Sequence, residues 1–414
     1  MQDLLEVCCG MDIHKETVVA CLLIGAPEVK PSCEIRTFST MASGLDELKH
    51  WLEDTGCVHV AMESTGIYWV PVYERLEDST EPINLMVVNA RHMKNVPGRK
   101  TDMRDAEWIA TLLRAGLLRS SFIPEKSIRE LRHLTRYRKS IVHDVTAQKN
   151  RIEKFLQSAG FRLSVFLSDV FGVSGRNVMR HLIAHGSIDR DDMERCLKKQ
   201  ARHKLNDILT SVNGTMSAHQ RQFLSTMLEH LEWLETHQCQ IEVAIESSVS
   251  EFHGAMSVMI SIPGIGRTAA SSILAEIGPN MGCFATSEHL CSWAGMSPGN
   301  NESAGKRKST TINHGNPYVK SMLCEVAWVI AGKRNTYLSN WYWRLKQRKG
   351  AKKAIVALGR KLLVIIFVML TNGTLFDESC FEQRRQHCER RRVARMLCEL
   401  TRLGYDVSPP AAIV

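Results

Sequence analysis

The first part of the chain alternates short apolar runs with segments whose apolar residues recur at helical spacing. Three β-branched runs predict consecutive strands, and a helix follows in which Leu45, Leu48 and Leu52 share one face. Two further runs predict buried strands, each followed by a helix. The predicted strands cover residues 4–13, 17–25, 33–39, 58–63 and 83–89, and the helices cover residues 44–53, 64–76 and 102–113.

This order of elements predicts the fold class. Three strands followed by helix, strand, helix, strand and helix is the order of a ribonuclease-H-like α/β domain, although other mixed-sheet folds share it. Ser64 directly follows the fourth predicted strand and is a candidate cap for the next helix. We therefore expect an α/β domain over residues 1–122.

The pattern changes after residue 122 and becomes helical. Residues 127–156 contain neither Gly nor Pro, and residues 217–249 form a second long helical pattern beyond a polar, glycine-containing linker. Two such helices with weak heptads predict an antiparallel coiled-coil arm over residues 123–255. We expect a mainly helical third domain over residues 256–414. Its longest apolar run, residues 362–370, is too short to span a bilayer, so we expect a buried helix and no membrane partner.

Charge is distributed unevenly along the 414 residues, whose formal net charge is +9. Residues 1–90 contain 15 acidic and 5 basic residues, so the rest of the chain carries the entire positive excess. An acidic N-terminal part followed by a basic remainder is consistent with a protein that binds a metal ion in the first part and nucleic acid along the rest. A protein with an uneven surface but no such partner would show the same imbalance.

Cysteine usage and the start of the chain indicate the compartment. The 13 cysteines include no C-x-x-C pair and have no histidine at zinc spacing, which favours free thiols in a reducing cytosol. The acidic start lacks the basic region of a signal peptide. We expect a cytoplasmic protein.

Four acids are candidates for a metal site. Asp12 lies at the end of the first predicted strand and Glu63 at the end of the fourth, while Asp102 and Asp105 share a helix face. Carboxylates that converge without basic partners repel one another unless cations neutralise them. Oxygen ligands of this kind favour Mg²⁺ or Mn²⁺, and two such ions can assist reaction at a phosphodiester. Taken singly, an acid in a first helical turn is an ordinary helix-stabilising residue.

A loop dense in Gly, Asn, Ser, Lys and Arg separates two apolar helical segments of the third domain. Its basic residues can meet phosphates, and a serine hydroxyl there can act as a nucleophile if a base, a metal or a cationic site assists it. The residues alone do not choose among Ser297, Ser303 and Ser309. The candidate phosphate contacts are Lys306, Arg307 and Lys308.

Two further segments are candidate nucleic-acid contacts. Gly264, Gly266 and Arg267 resemble a helix–hairpin–helix turn that offers backbone N–H groups to a phosphate, although a tight turn between packed helices explains the glycines equally well. The first long helix has a basic flank that is broader than solvation requires. Its candidate contacts are Arg132, Arg136 and Lys139.

The segments around the four acids carry a family resemblance. GMDIHKETVVACLL, AMESTGIYWVPVYERL and VVNARHMKNVPGRKTDMRDAEWIATLLRAGLL, together with the block AGMSPGNNESAGKRK, resemble the DEDD transposases of bacterial insertion sequences. That family also includes the Piv-type DNA invertases. The resemblance implies a RuvC-like first domain and a C-terminal transposase domain. It implies Mg²⁺-binding roles for Asp12, Glu63, Asp102 and Asp105.

The resemblance also selects the serine. Ser303 matches the residue that becomes covalently joined to DNA, although Ala304 stands where the family pattern has glycine. The implied partners are donor and target double-stranded DNA, a structured bridge RNA whose loops pair with both, and further copies of the chain in a dimer or tetramer. In that family the acids of one protomer can work with the serine of another, and the resemblance implies a protein associated with the bacterial nucleoid.

Other functions remain open at the level of sequence. The alternatives are a Piv-type invertase, a RuvC-like junction nuclease in which Ser303 only binds phosphate, and a nucleic-acid-binding protein without activity. The presence of all four acids disfavours the last of these.

Overall fold

The computed structural model describes residues 3–64, 66–79, 82–89, 105–299, 301–303, 306–309, 312, 314–333 and 336–405. The chain divides into two compact units, Met1–Ile123 and Pro124–Val414. The first unit is mixed α/β and the second is mostly helical, in agreement with the apolar patterns. The predicted boundary near residue 256 falls inside the second unit.

A five-stranded sheet forms the centre of the first unit within the described residues. The strands are β1 (Val7–Ile13), β2 (Thr17–Ile24), β3 (Ser32–Ser39), β4 (His59–Glu63) and β5 (Asn84–Val88). Their order is β3-β2-β1-β4-β5. The first three strands pair antiparallel, whereas β4 runs parallel to both β1 and β5. The strands that carry Asp12 and Glu63 are therefore parallel neighbours.

Helices cover both faces of this sheet. α1 (Ala42–Asp54) and α2 (Trp69–Glu77) pack on one face, where Leu48 and Val72 are fully buried against the sheet. α3 (Asp105–Arg114) packs on the other face with Ala106, Ile109 and Ala110. Burying one side chain the size of Leu48 contributes about 2 kcal/mol.

The predicted helix cap at Ser64 is wrong. α2 begins at Trp69, and its N-cap residue Tyr68 makes no side-chain cap hydrogen bond. The backbone N–H of Ser64 instead donates to the carbonyl of Val88, 2.9 Å away. Ser64 therefore extends the pairing of β4 with β5 past the end of the strand.

Two long helices and three shorter ones open the second unit. Gln148 Nε2 on the first long helix donates to the Met227 carbonyl on the second at 2.9 Å. Further along the first helix, the Phe155 ring lies 5.1 Å from the Phe223 ring, and Phe223 comes before Met227 in the second helix. The two helices therefore run antiparallel. Coiled-coil packing of the pair stays a prediction. The helices are α4 (Lys126–Ser158), α5 (Val173–His185), α6 (Arg190–Cys196), α7 (Leu205–Ser211) and α8 (Ala218–Ser248).

The polar, glycine-containing linker between the long helices forms three short helices of its own, α5, α6 and α7. Val178, Met179 and Leu182 recur at helical spacing on α5 and are fully buried. They join the same core as Leu224 and Leu228 of α8, because an apolar helix face of this kind must be covered.

The remaining helices form the rest of the second unit. Leu358, Leu362 and Ile366 are fully buried on a long apolar helix, α14 (Ala351–Asn372). This helix contacts α12 (Pro317–Gly332) and α13 (Tyr337–Lys349). α14 alone among the described helices is long and apolar enough to cross a membrane by length and composition. The helices are α9 (His253–Ile260), α10 (Arg267–Ile277), α11 (Ser287–Trp293), α12 (Pro317–Gly332), α13 (Tyr337–Lys349), α14 (Ala351–Asn372) and α15 (Ser379–Arg402).

Candidate active site

Strand register brings two of the predicted acids side by side. The last recorded pair between β1 and β4 joins Met11 to Met62, so Asp12 and Glu63 follow it directly on neighbouring parallel strands. Residues at matched positions of adjacent strands point to the same face of a sheet. Both acids are half-buried. The Asp12 Oδ2 atom also lies 3.3 Å from Nε2 of the exposed His14.

The face that carries these acids is the one covered by α3. Strand side chains alternate, so Asp12 shares a face with Gly10, and Glu63 shares a face with Ala61. Ala61 belongs to the core formed with α3. A Cβ on Gly10 would lie 2.4 Å from the Ala106 carbonyl oxygen. The missing side chain of Gly10 therefore allows α3 to lie directly on β1.

The direction of α3 determines where its first residue lies. Cys8 Sγ donates to the Ala110 carbonyl at 3.6 Å, whereas Gly10 meets Ala106 as well as Ala110. The helix therefore runs against β1, and Asp105 at its start lies toward the strand end that carries Asp12. Three of the four predicted acids thus belong to one layer at one end of the sheet. Asp102 lies outside the described residues.

The donor chemistry of this layer fits a divalent cation. Asp12, Glu63 and Asp105 offer carboxylate oxygens, the ligands that Mg²⁺ and Mn²⁺ prefer. Within the residues that the structure describes, no group of three or more His, Cys, Asp or Glu side chains is close enough to hold a metal. Asp102, the fourth acid of the predicted set, is not among those residues.

The serine candidates lie in the segment between α11 and α12. β6 (Asn301–Ser303) and β7 (Lys306–Ser309) form an antiparallel hairpin in which Ser303 pairs with Lys306. Ser303 is thus the last residue of β6, and β7 carries the three predicted phosphate contacts. Only the backbone of these strands is described; the side chains of Ser303, Lys306, Arg307 and Lys308 lie outside the described part of the structure.

The base of this segment, which we call the serine loop (residues 294–316), is closed by backbone contacts. Pro298 and Ile312 form an antiparallel bridge. A Cβ on Gly315 would lie 2.1 Å from the Gly295 backbone nitrogen, so the two ends of the loop approach as closely as glycines allow. The loop therefore leaves and re-enters the helical core at one point.

The predicted helix–hairpin–helix turn lies between α9 and α10. Gly264 has a φ of +110° and faces Ile330, so close packing accounts for this glycine. Gly266 is the N-cap of α10, and a Cβ there would meet nothing within 4 Å. Arg267 forms an ion pair with Glu246 while remaining exposed. Contact of this turn with a phosphate stays a prediction.

The basic residues of α4 have partners inside the second unit. Arg136 donates from Nε and Nη2 to the two carboxylate oxygens of Glu276, at 2.8 and 2.9 Å. Arg132 donates to the backbone carbonyls of Ala275 and Glu276, and Lys139 Nζ donates to Ser321 Oγ at 2.8 Å. Nucleic-acid contact by these three residues stays a prediction, but each already has a contact within the fold.

Burial and the neighbouring Glu276 change the pKa values of these two guanidinium groups. It lowers the pKa of Arg132 to about 10, against the opposing attraction of Glu276. Burial also disfavours the charged form of Arg136, but hydrogen bonds and the charge of Glu276 outweigh it and raise the Arg136 pKa. Both arginines remain protonated at neutral pH, so Glu276 is a buried acid held between two cations.

Comparison with known proteins identifies the family. A family model for DEDD transposases of the IS110 type matches residues 9–161, and a model for transposases of the IS116/IS110/IS902 family matches residues 256–343. The chain belongs to the IS110 family of transposases. The first match contains the layer of acids, and the second contains the serine loop. As an IS110-family transposase, the protein is a DNA-cutting recombinase.

Relatives of this transposase cover most of its length. The pilin gene-inverting protein of Moraxella bovis is 24% identical over 90% of this chain and 98% of its own. A probable family 20 transposase of Pseudomonas aeruginosa is 22% identical over 77% of this chain and 85% of its own. The insertion element IS110 43.6 kDa protein of Streptomyces coelicolor is 25% identical over 68% and 73% of the two chains. The similarity thus includes transposases and a DNA-inverting protein.

Sequence reasoning missed three residues around these sites. Gly10 interrupts a buried strand, a pattern that marks close backbone approach and could have been recognised. Asn316 directly precedes Pro317, which is a helix-start signal. The role of Glu276 could not be recognised from the sequence, because its partners Arg136 and Arg132 lie 140 and 144 positions earlier in the chain.

Proposed function

We propose that this transposase cuts and rejoins the DNA of an insertion sequence, with Asp12, Glu63, Asp102 and Asp105 as ligands of Mg²⁺ or Mn²⁺ and Ser303 as the nucleophile. The observation that carries the proposal is the parallel register of β1 and β4, which aligns Asp12 with Glu63 on the face under α3. The start of that helix at Asp105, toward the same end of the sheet, supports a place for a third carboxylate.

Each part of the site has a separate task. A bound divalent cation supplies positive charge that offsets the charge developing on the oxygens of the reacting phosphate. Asp12 and Glu63 would hold it from the sheet, and Asp102 and Asp105 from the helix. Lys306, Arg307 and Lys308 of β7 would bind DNA phosphates next to Ser303.

The serine determines whether DNA is rejoined or only cut. When the Ser303 oxygen bonds to phosphorus and a sugar oxygen leaves, the phosphodiester energy is kept in a protein–DNA ester. A sugar hydroxyl can then attack that ester, release the serine and seal a new joint. Attack by water would discard the energy and leave free ends, which is the outcome expected of a junction nuclease.

The partners follow from the same proposal. Donor and target double-stranded DNA are the substrates, and a structured bridge RNA from the element guides their pairing. The basic composition after residue 90 supports a polyanionic partner, and the family resemblance supports the RNA. RNA bound to the purified protein should be sequenced; if activity survives complete RNA removal, guidance by RNA is wrong. We propose a dimer or tetramer acting at the bacterial nucleoid.

DNA inversion is a second candidate function. Its support is the similarity to the pilin gene-inverting protein, which covers nearly the full length of both chains. The chemistry of the acids and Ser303 would be the same, and only the arrangement of the recombining sites would differ. A reporter with inverted sites and one with an excisable element separate the two functions by their products.

Trapping of the covalent ester tests the chemistry. Labelled DNA incubated with the wild type and Mg²⁺ should give a slow band on a denaturing gel that protease removes. Ser303→Ala should bind DNA but lose this band and recombination, whereas Ser297→Ala and Ser309→Ala should keep both. A protease-sensitive band that persists in Ser303→Ala would mean that another residue is the nucleophile. Efficient cleavage by the wild type without any such band would support the nuclease alternative.

A further inference from the structure

The buried acid Glu276 connects α10 to the end of the serine loop. Its side chain is only 2% exposed. Besides the two hydrogen bonds from Arg136, it accepts one from Asn316 Nδ2, which lies 2.5 Å from Glu276 Oε2. A buried carboxylate is costly unless such donors satisfy it, so its position is fixed by three directed bonds.

The side chain and backbone of Asn316 form hydrogen bonds that link the two ends of the serine loop. Its Oδ1 atom accepts hydrogen bonds from Tyr318 N at 2.9 Å and Val319 N at 3.2 Å, which caps α12. Its backbone N–H donates to the Trp293 carbonyl at 3.2 Å, at the other end of the loop. Asn316 thus joins the two ends of the loop to Glu276.

Arg132 and Arg136 of α4 also bind Glu276, and we call these two arginines, Glu276 and Asn316 the loop anchor. Arg132 holds the backbone of Glu276, and Arg136 holds its carboxylate. The Arg136 guanidinium carbon also lies 4.2 Å from the centre of the Tyr318 ring. The same arginine therefore contacts the acid and the first turn of α12, which limits movement of one relative to the other.

We propose that Glu276 and Asn316 are positioning residues for Ser303: together they fix the base of the serine loop, and with it the hairpin that carries the nucleophile. The inference rests on the proposed role of Ser303. The bridge between Pro298 and Ile312 lies between this base and the paired strands β6 and β7, so it extends the restraint toward them. A displacement of about 1 Å at a reacting atom costs roughly 100-fold in rate.

Asn316→Ser separates positioning from helix capping. Serine is also a good N-cap residue, so the cap of α12 is kept while the amide donor to Glu276 is lost. Thr336→Ala is the matched control, because it removes one cap hydrogen bond, from Ser339 N to Thr336 Oγ1, at the start of α13 in the same unit. Both variants should fold and bind DNA like the wild type.

The first measurement is the rate of ester formation in a single turnover, with enzyme in excess over labelled DNA and at a concentration that saturates it. Asn316→Ser should lower this rate by about 100-fold while the Kd for DNA changes less than about twofold, because the loop end is released. Thr336→Ala should keep the wild-type rate. Equal rates in Asn316→Ser and Thr336→Ala would overturn the inference.

A paired exchange tests the hydrogen bond itself. Asn316→Asp alone keeps the cap oxygen but sets two carboxylates against each other, and its rate of ester formation should fall. Adding Glu276→Gln restores one donor opposite one acceptor and keeps one negative charge near Arg136, so the double variant should recover at least about tenfold of the lost rate. No recovery in a folded double variant would contradict the direct link.

Hydrogen–deuterium exchange makes the inference testable apart from the chemistry. Amide exchange of residues 295–316 should rise in Asn316→Ser and stay unchanged in Thr336→Ala. Unchanged exchange in Asn316→Ser would overturn the anchor whatever the nucleophile is. If exchange rises but the wild type forms no ester, the anchor stands and the proposed role of Ser303 fails.

Discussion

The layer of acids on the sheet and the anchored base of the serine loop are built in opposite ways. Asp12 and Glu63 are aligned by backbone register alone, since each follows a paired position on neighbouring strands. The loop base depends on side chains from three helices, with Glu276 bound by Arg136 and Asn316. One site is a consequence of strand pairing, and the other is a network of long-range polar contacts.

This difference indicates how each site responds to change. A site fixed by strand register should tolerate loss of a ligand without unfolding, because the sheet is held by its core. A buried acid held by cations should not tolerate loss of a partner, since removing one side of such a pair typically costs about 3–5 kcal/mol. Loss of a carboxylate ligand should therefore leave the first unit folded, whereas loss of Arg132 or Arg136 should destabilise the second unit.

The largest effect is expected at the acids themselves. Asp12→Ala or Glu63→Ala should lower strand cleavage by roughly 1000-fold or more, because about 4 kcal/mol of transition-state stabilisation is lost with cation placement. DNA retention in Mg²⁺ and the unfolding temperature should stay near wild type. Cleavage of labelled DNA and a gel-shift assay measure the two quantities.

Asp46→Ala is the matched control for those variants. Asp46 is an acid of the same unit whose carboxylate pairs with Arg75 on the helical surface. Its loss should leave cleavage unchanged. Full activity in Asp12→Ala, or an equal loss in Asp46→Ala, would remove the assignment of the acidic site.

Gly10→Ala should disturb the same site through packing. The added Cβ would lie 2.2 Å from the Ala110 nitrogen, a backbone atom that cannot move aside without the helix. The free energy of unfolding should fall by about 3 kcal/mol. Gly254→Ala, where a Cβ meets nothing within 4 Å, should change it by less than about 1 kcal/mol. Chemical denaturation measures both, and similar values for the two variants would contradict close approach of α3 to β1.

The smallest effect is expected at the hairpin cations. Replacing Lys306, Arg307 and Lys308 with glutamine should lower the slope of log Kd against log salt by up to about 3, since each lost phosphate contact releases about one counterion fewer. Arg36→Gln, which removes a cation paired with Glu34 in the acidic part of the chain, should leave the slope unchanged. A wild-type slope in the triple variant would mean that β7 does not contact DNA.

The sequence was sufficient for the features that depend on local pattern. The five strands, α1 and the long helices α4 and α8 follow from apolar periodicity and were predicted correctly. Periodicity does not report side-chain partners, so the contacts of Arg132 and Arg136 with Glu276 could not be predicted. The cap at Ser64 failed because β4 and β5 use its backbone N–H, which is decided by sheet pairing and not by the residue type.

Mass spectrometry of the trapped ester tests the central claim most directly. Trypsin should release the peptide 268–306, which contains Ser297 and Ser303 but not Ser309. After nuclease trimming of the DNA, fragmentation should place the remaining nucleotide mass on Ser303, and only in samples with Mg²⁺ and intact Asp12 and Glu63. Nucleotide on any other residue, or an ester that forms equally in Asp12→Ala, would contradict joint action of the acids and Ser303.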